Sequence, residues 1–449
     1  MTDNTTAERI DALVGSARDD LAELVAIRSI ADRDLAPATE CERAARWSAD
    51  AFARAGISDI DLYRTADDSQ AVIGHRPGPE GSPTVLLYGH YDVQPPGDEQ
   101  LWDSPPFELI ERDGRWYGRG AADCKGNLIA HLLALRALDK LNVGVRIVVE
   151  GSEEQGTGGL EALVRERPDL FAADVMVIAD VGNVALGTPT MTTSLRGMTT
   201  VLLQIDTLRG ALHSGMFGGA APDALAIMIE VLGSLRDADG NTHIDGLDCS
   251  GTWVGADYAD DQFRLDAGVL DGVDLPGTGT VADRVWARPS VTVLGIDCPG
   301  VAEAAAAIVP RCRAKVSLRI PPGMDARHAM DSLVAHLHDK TPFGAHVSVT
   351  AEGFGAPFQA TTNGPAYDEL SKIMAEVFGK PLVTAGQGGA IPLCNTLAEA
   401  YPQAEIVLIG VEEPRCQIHA ANESVDPAEI CRIATVEAML LQRLGTQSD

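Results

Sequence analysis

Positive charge is scarce in this sequence beside negative charge. Lysine and arginine number 35 against 65 aspartates and glutamates, a net charge of -30 over 449 residues. Such a surface repels nucleic acid and anionic membrane faces, which excludes both as partners. No apolar run is long enough to cross a bilayer, and residues 1–20 are polar and acidic, without the basic and apolar regions of a secretory signal. The eight cysteines (Cys41, Cys124, Cys249, Cys298, Cys312, Cys394, Cys416, Cys431) form no C-x-x-C pair and no dense framework. Reduced thiols in a cytoplasmic protein are the simplest account. There is no internal repeat, and no low-complexity tract beyond the alanine run 304–307. With 45% hydrophobic and 22% charged residues, what remains is an ordinary globular chain with length enough for two domains.

Hydrophobic spacing predicts an amphipathic helix over 7–27, a second over 41–55, and a helix over 127–138. Short apolar runs at 83–88, 145–149, 175–179 and 406–410 predict buried strands. From Ser194 the pattern shifts to alternating runs at 199–205, 291–295, 314–320 and 346–351, with helical stretches at 221–235 and 326–336. Two strand-helix-strand units in succession predict a four-stranded α+β layer. The acidic, glycine-rich segment 237–287 has no strong periodicity and reads as an excursion over the surface. The expected fold class is α/β, with a main domain in two parts, 1–193 and 361–449, and an inserted domain over 194–360.

Several of the strands end in a group that could carry chemistry. The first delivers Gly89, His90, Tyr91, Asp92; a glycine-rich turn holds Asp123 ahead of a helix; the strand at 145–149 runs into Gly151, Ser152, Glu153, Glu154; and Asp180 follows the strand at 175–179. In open α/β sheets, sites gather at the carboxyl ends of strands. An imidazole that ligates metal needs a partner on its other nitrogen, a task open to Asp92. Neighbouring carboxylates such as Glu153 and Glu154 repel, more so in a desolvated cleft. A solvated turn resolves this, and so does a metal held by one carboxylate while the other moves a proton. Either motif alone leaves both readings open.

Taken in order, G-H-Y-D-V-Q-P, G-R-G-A-A-D-C-K-G, E-G-S-E-E-Q-G-T-G, the aspartate after an apolar strand and H-A-A-N-E make the chain resemble metallopeptidase family M20, in its carnosinase-like dipeptidase branch. The resemblance runs from His90 to Glu423. It implies a zinc-peptidase domain with a mixed sheet flanked by helices, carrying an inserted ferredoxin-like lid through which subunits form a homodimer. It also implies two Zn²⁺ per subunit, with Mn²⁺ or Co²⁺ chemically acceptable. His90 and Asp180 would hold one ion, Glu154 and His419 the other, and Asp123 would bridge them. Glu153 would be the general base on a bridging water, and Asp92 would orient His90. A cis peptide at Asp123-Cys124 is expected on the same ground.

In the insert, His213 matches the family's lid histidine, which in dimeric members reaches the partner's site, and Arg319 matches the arginine that grips the substrate carboxylate. Where carnosinase-like members usually read R-E-G-G-S-I-P, this chain has Gly386, Gln387, Gly388, Gly389, Ala390, Ile391, Pro392, which weakens the expected hold on a free substrate amine. Cys416 stands at C-x-x-H spacing to His419 and is read as a bystander; His336 and His338 are read as surface residues. The expected activity is hydrolysis of the amide bond of dipeptides or similar substrates. An N-acyl-amino-acid deacylase using the same site is the alternative, and a metal-binding homologue without turnover the distant one.

Overall fold

The computed structural model describes residues 3–445, and they divide into two compact units: 3–193 with 360–385 and 392–445, and 194–359 with 386–391. Gln387, Gly388 and Gly389 thus fall with the second unit.

In the first unit the sheet runs in the order Asp59–Arg64, Gln70–Arg76, Gly144–Glu150, Thr84–His90, Val175–Ile178, Glu405–Leu408, Thr190–Leu195. The four strands from Gly144–Glu150 to Glu405–Leu408 are mutually parallel, and antiparallel strands flank them. These four are buried almost throughout, as their uninterrupted Val, Ile and Leu content requires of strands covered on both faces. Helices Asp3–Val25, Ala38–Arg54, Lys125–Arg136, Pro365–Phe378 and Pro427–Leu444 share one apolar core with the sheet, through Leu21, Phe52, Leu128, Leu132, Ile373 and Leu440. Lys125 is wholly buried and donates to the carbonyls of Leu24 and Ile27, which closes the end of the first helix. Burial pushes its amine down to about 7.

The second unit is a four-stranded antiparallel sheet ordered Ser290–Asp297, Arg311–Ile320, Gly197–Asp206, His346–Gly355. Helices Ala224–Gly233 and Ala326–Asp339 pack on it through Ile227, Met228, Val231, Leu333 and Leu337, over Val201, Leu203, Val316 and Leu318. The chain order strand-helix-strand-strand-helix-strand with this sheet order is ferredoxin-like. Segment 237–287 is not featureless: it contains the helix Asp260–Asp266 and an aromatic group in which Trp286 contacts Trp253 and Tyr258. The surface reading of His336 is corrected. It is buried and bonded to the Ser234 hydroxyl and the Asp245 N–H, because the turn after Ala224–Gly233 closes over it. His338 is exposed. Among the described residues no helix is long and apolar enough to cross a membrane.

One buried pair ties helix Lys125–Arg136 to helix Pro427–Leu444. His131 Nδ1 lies 2.9 Å from Glu437 Oε2 and Nε2 lies 3.1 Å from the Tyr88 carbonyl, so both ring nitrogens face acceptors, which favours the positively charged ring. Burial opposes that charge, but the Glu437 carboxylate outweighs it and raises the histidine above its ordinary value. A raised folded-state value means the contribution is complete below about pH 6.5 and is lost as pH rises through the folded value. Replacing His131 by Gln should cost about 3–5 kcal/mol near pH 6, and the gap to wild type should narrow as pH rises. Urea unfolding across the pH range checks this; a gap that is constant with pH would contradict it.

Candidate metal centre

The parallel strands place their carboxyl ends on one edge of the sheet, and the chemistry-bearing side chains collect there. Thr84–His90 ends in His90 itself; Gly144–Glu150 leads into the turn with Glu153 and Glu154; Val175–Ile178 is followed by Asp180. Asp123 stands just before helix Lys125–Arg136, across a cis peptide to Cys124. His419 lies on the loop after Glu405–Leu408 with a φ of 62°, one of the few non-glycine residues in the left-handed region.

The geometry is compact. His90 Nε2 is 3.1 Å from Asp123 Oδ1 and 3.1 Å from Asp180 Oδ1. His419 Nε2 is 2.9 Å from Asp123 Oδ2 and 3.1 Å from Glu154 Oε2. Asp123 therefore turns one oxygen to each histidine. Glu153 Oε2 lies 3.9 Å from His90 Nε2. His90 Nδ1 faces the Asp92 carbonyl at 3.0 Å and Asp92 Oδ1 at 3.3 Å. The same carboxylate accepts the backbone N–H of Glu153 at 3.2 Å and of Glu154 at 3.1 Å. One buried aspartate thus fixes both the imidazole and the two-glutamate turn. His213 and Arg319 belong to the second unit, His213 at the end of a two-residue strand and Arg319 within Arg311–Ile320, as do Gln387, Gly388 and Gly389.

Proton affinities follow from this crowding. Hydrogen bonding to Asp123 and Glu154 pushes His419 up to about 11. Burial works against the Asp123 anion, yet the hydrogen bonds from His419 and His90 hold it below the usual carboxylate range. Burial, with Asp180 adding, pushes Glu153 well above that range. Cys124 Sγ also sits close to His90 and Asp180; its thiol donates to the Ala179 carbonyl at 2.9 Å, and burial raises it well above its ordinary value. Cys416 is turned away to Arg115 and Glu413, in keeping with a bystander.

Three contributors were not singled out from the sequence. Glu423 is fully buried and accepts from Arg119 Nη1 at 2.7 Å, Gly120 N at 2.9 Å, Ala122 N at 3.0 Å and Asp123 N at 3.1 Å. It therefore clamps the turn that carries Asp123 to the loop that carries His419. Gln94 donates to Glu154 Oε2 at 2.9 Å. Glu412 follows the strand Glu405–Leu408 much as Asp180 follows its own, the one signal that could have exposed it.

The chain is a metallopeptidase by family: it belongs to peptidase family M20/M25/M40, whose family model matches residues 86–443. It is an enzyme that acts on peptide bonds. It is 43% identical over 411 residues to the cysteinylglycine-S-conjugate dipeptidase of Corynebacterium striatum, covering 90% of each chain. The crystal structure of human carnosine dipeptidase 1 superposes with a TM-score of 0.82 at 25% identity, covering 99% of both chains. The dipeptidase Dug1p of Saccharomyces cerevisiae shares the fold, with a TM-score of 0.84 at 22% identity over 99% of this chain and 98% of that one.

Glu423→Ala would leave a buried guanidinium and three backbone N–H groups without their acceptor. The expected loss is about 3–5 kcal/mol of stability, with Glu423→Gln losing less. Denaturant unfolding measures it; a loss below about 1 kcal/mol would show the clamp to be dispensable.

Proposed function

We propose that the chain is a dinuclear metal dipeptidase in which Asp123 is shared by two ions. The observation that carries this is the pair of histidines, each facing two carboxylate oxygens at 2.9–3.1 Å, with Asp123 common to both. Among the described residues no lysine or arginine pairs with Asp123, Asp180 or Glu154, so a cation is what the cluster is built to receive. A set of two imidazoles and carboxylates fits Zn²⁺, and Mn²⁺ or Co²⁺ equally by chemistry. His90 and Asp180 would hold one ion, Glu154 and His419 the other. When bound, such a pair polarises the scissile carbonyl and makes water acidic enough to attack near neutral pH.

Glu153 stands beside this ligand set, 3.9 Å from His90 Nε2. It is not needed as a ligand, and burial raises its proton affinity above that of an ordinary carboxylate, the direction that favours a base which takes a proton and returns it. Its carboxylate accepts the proton of the attacking water and delivers it to the leaving amine nitrogen. Asp92, through its bonds to His90 and to the N–H groups of Glu153 and Glu154, keeps base and ligands in register.

The second unit supplies substrate contacts in this reading. Arg319 has no carboxylate partner among the described residues, which leaves its guanidinium for the terminal carboxylate of a small peptide. His213 is exposed and takes the Gly215 N–H at 3.1 Å on Nδ1, so Nε2 is the nitrogen available to an oxyanion, in a homodimer that of the partner site. Val293, Leu294, Ile296 and Phe354, exposed apolar residues on the strands at the two edges of the ferredoxin-like sheet, support pairing of subunits through that sheet. Gln387, Gly388 and Gly389 line the amino side of the substrate. Because Gln387 is neutral, an acylated amino side is tolerated better than in a strict dipeptidase, and this favours deacylation of N-acyl amino acids as the second reading.

The test is a release assay on dipeptides and their N-acetyl forms, with metal-stripped protein reloaded with Zn²⁺ or Mn²⁺. Loaded wild type should cleave, and Glu153→Gln should lose about 10²–10⁴-fold in kcat while keeping its metal by elemental analysis. Activity of that variant within a few-fold of wild type would remove Glu153 as the base. No cleavage by the loaded wild type would remove the dipeptidase.

A further inference from the structure

Glu412 has no place in the arrangement above, yet its side chain points into it. Ligand oxygens of Asp123, Asp180 and Glu412 all lie within 4.8 Å of one another. Glu412 is 6% exposed, and its Oε1 is shut off from solvent with no hydrogen-bond donor. No lysine or arginine forms an ion pair with it among the described residues. A buried carboxylate oxygen with neither donor nor counter-charge is costly unless a cation meets it.

The backbone is shaped to bring it there. Beyond their last ladder residues, the strands Val175–Ile178 and Glu405–Leu408 stay side by side, with Gly182 bridged to Glu412 and the Asn183 N–H donating to the Glu412 carbonyl at 2.8 Å. A Cβ on Gly182 would lie 1.9 Å from that carbonyl oxygen, and a Cβ on Gly410 would lie 2.0 Å from the Val181 carbonyl oxygen. Side chains are excluded at both positions, and the close approach sets Glu412 beside Asp180.

We infer that Glu412 is a further metal-binding carboxylate at the position of His90, Asp123 and Asp180. An ion about 2.0–2.2 Å from each donor holds those donors up to about 4.4 Å apart, so small side-chain shifts close the observed cluster around one ion. The inference rests on the dinuclear reading and makes its two halves unequal. One position has three carboxylates and one imidazole; the other has Asp123, Glu154 and His419. The oxygen-rich set suits a harder ion of higher coordination number, Mn²⁺ more than Zn²⁺.

The experiment isolates the His90 position in a His419→Ala background and titrates it with Mn²⁺ and Zn²⁺ against a competing chelator, alongside metal counts on the otherwise unaltered chain. Adding Glu412→Gln should weaken Mn²⁺ binding at least about 10-fold, weaken Zn²⁺ less, and leave the far-ultraviolet circular dichroism and unfolding midpoint of the metal-free protein near their starting values. Glu412→Asp, which keeps the charge one methylene shorter, should fall between, and it carries the test should the Gln variant fail to fold. Unchanged affinities for both ions in these variants, with the otherwise unaltered chain still holding two ions, would overturn the inference alone. A wild-type chain that binds no ion would overturn the dinuclear reading and this inference together.

Discussion

Negative charge crowded at the ends of parallel strands is the constraint on which the rest of this structure depends. Asp123, Glu153, Glu154, Asp180 and Glu412 converge on a space that, among the described residues, offers His90 and His419 in return. Burial removes the water that would screen them, so each must be held in place by something other than its own preference. The holding groups are Asp92, which fixes the two-glutamate turn from behind, and Glu423, which ties the Asp123 turn to the His419 loop through four hydrogen bonds. Stability is thus spent on keeping like charges together, the pattern expected of a site and not of a core.

Much of this was legible in the chain. Continuous apolar runs gave the buried strands at close to their true bounds, because parallel strands covered on both faces carry no alternation to confuse with a surface. The insert declared itself by a change of period at Ser194, and its two strand-helix-strand units close into a ferredoxin-like sheet. The residues at strand ends, His90, Asp123, Glu154, Asp180 and His419, come together within hydrogen-bonding distance across more than three hundred positions of sequence.

What was not legible has a common cause. Glu423 and Arg119 sit inside recognised motifs, but pairing between two buried charges leaves no trace in either segment alone. Lys125 was assigned no role, and it is buried at the start of its helix against the carbonyls that end the first helix. His336 sits on an amphipathic helix where polarity suggested exposure, and a turn from elsewhere in the unit covers it. Segment 237–287 has no long period because, beside the short helix Asp260–Asp266, it carries aromatic contacts among Trp253, Tyr258 and Trp286 that leave no periodic trace. In each case tertiary contact overrides a local signal.

The central claim is that Asp123 is shared between two ions, one facing His90 and one facing His419. Anomalous diffraction from crystals of the metal-loaded protein, recorded at the metal absorption edges, tests it most directly. The account predicts two anomalous peaks about 3.5–4 Å apart, each within coordination distance of a different oxygen of Asp123. A single peak, or two peaks of which one leaves Asp123 untouched, would contradict it.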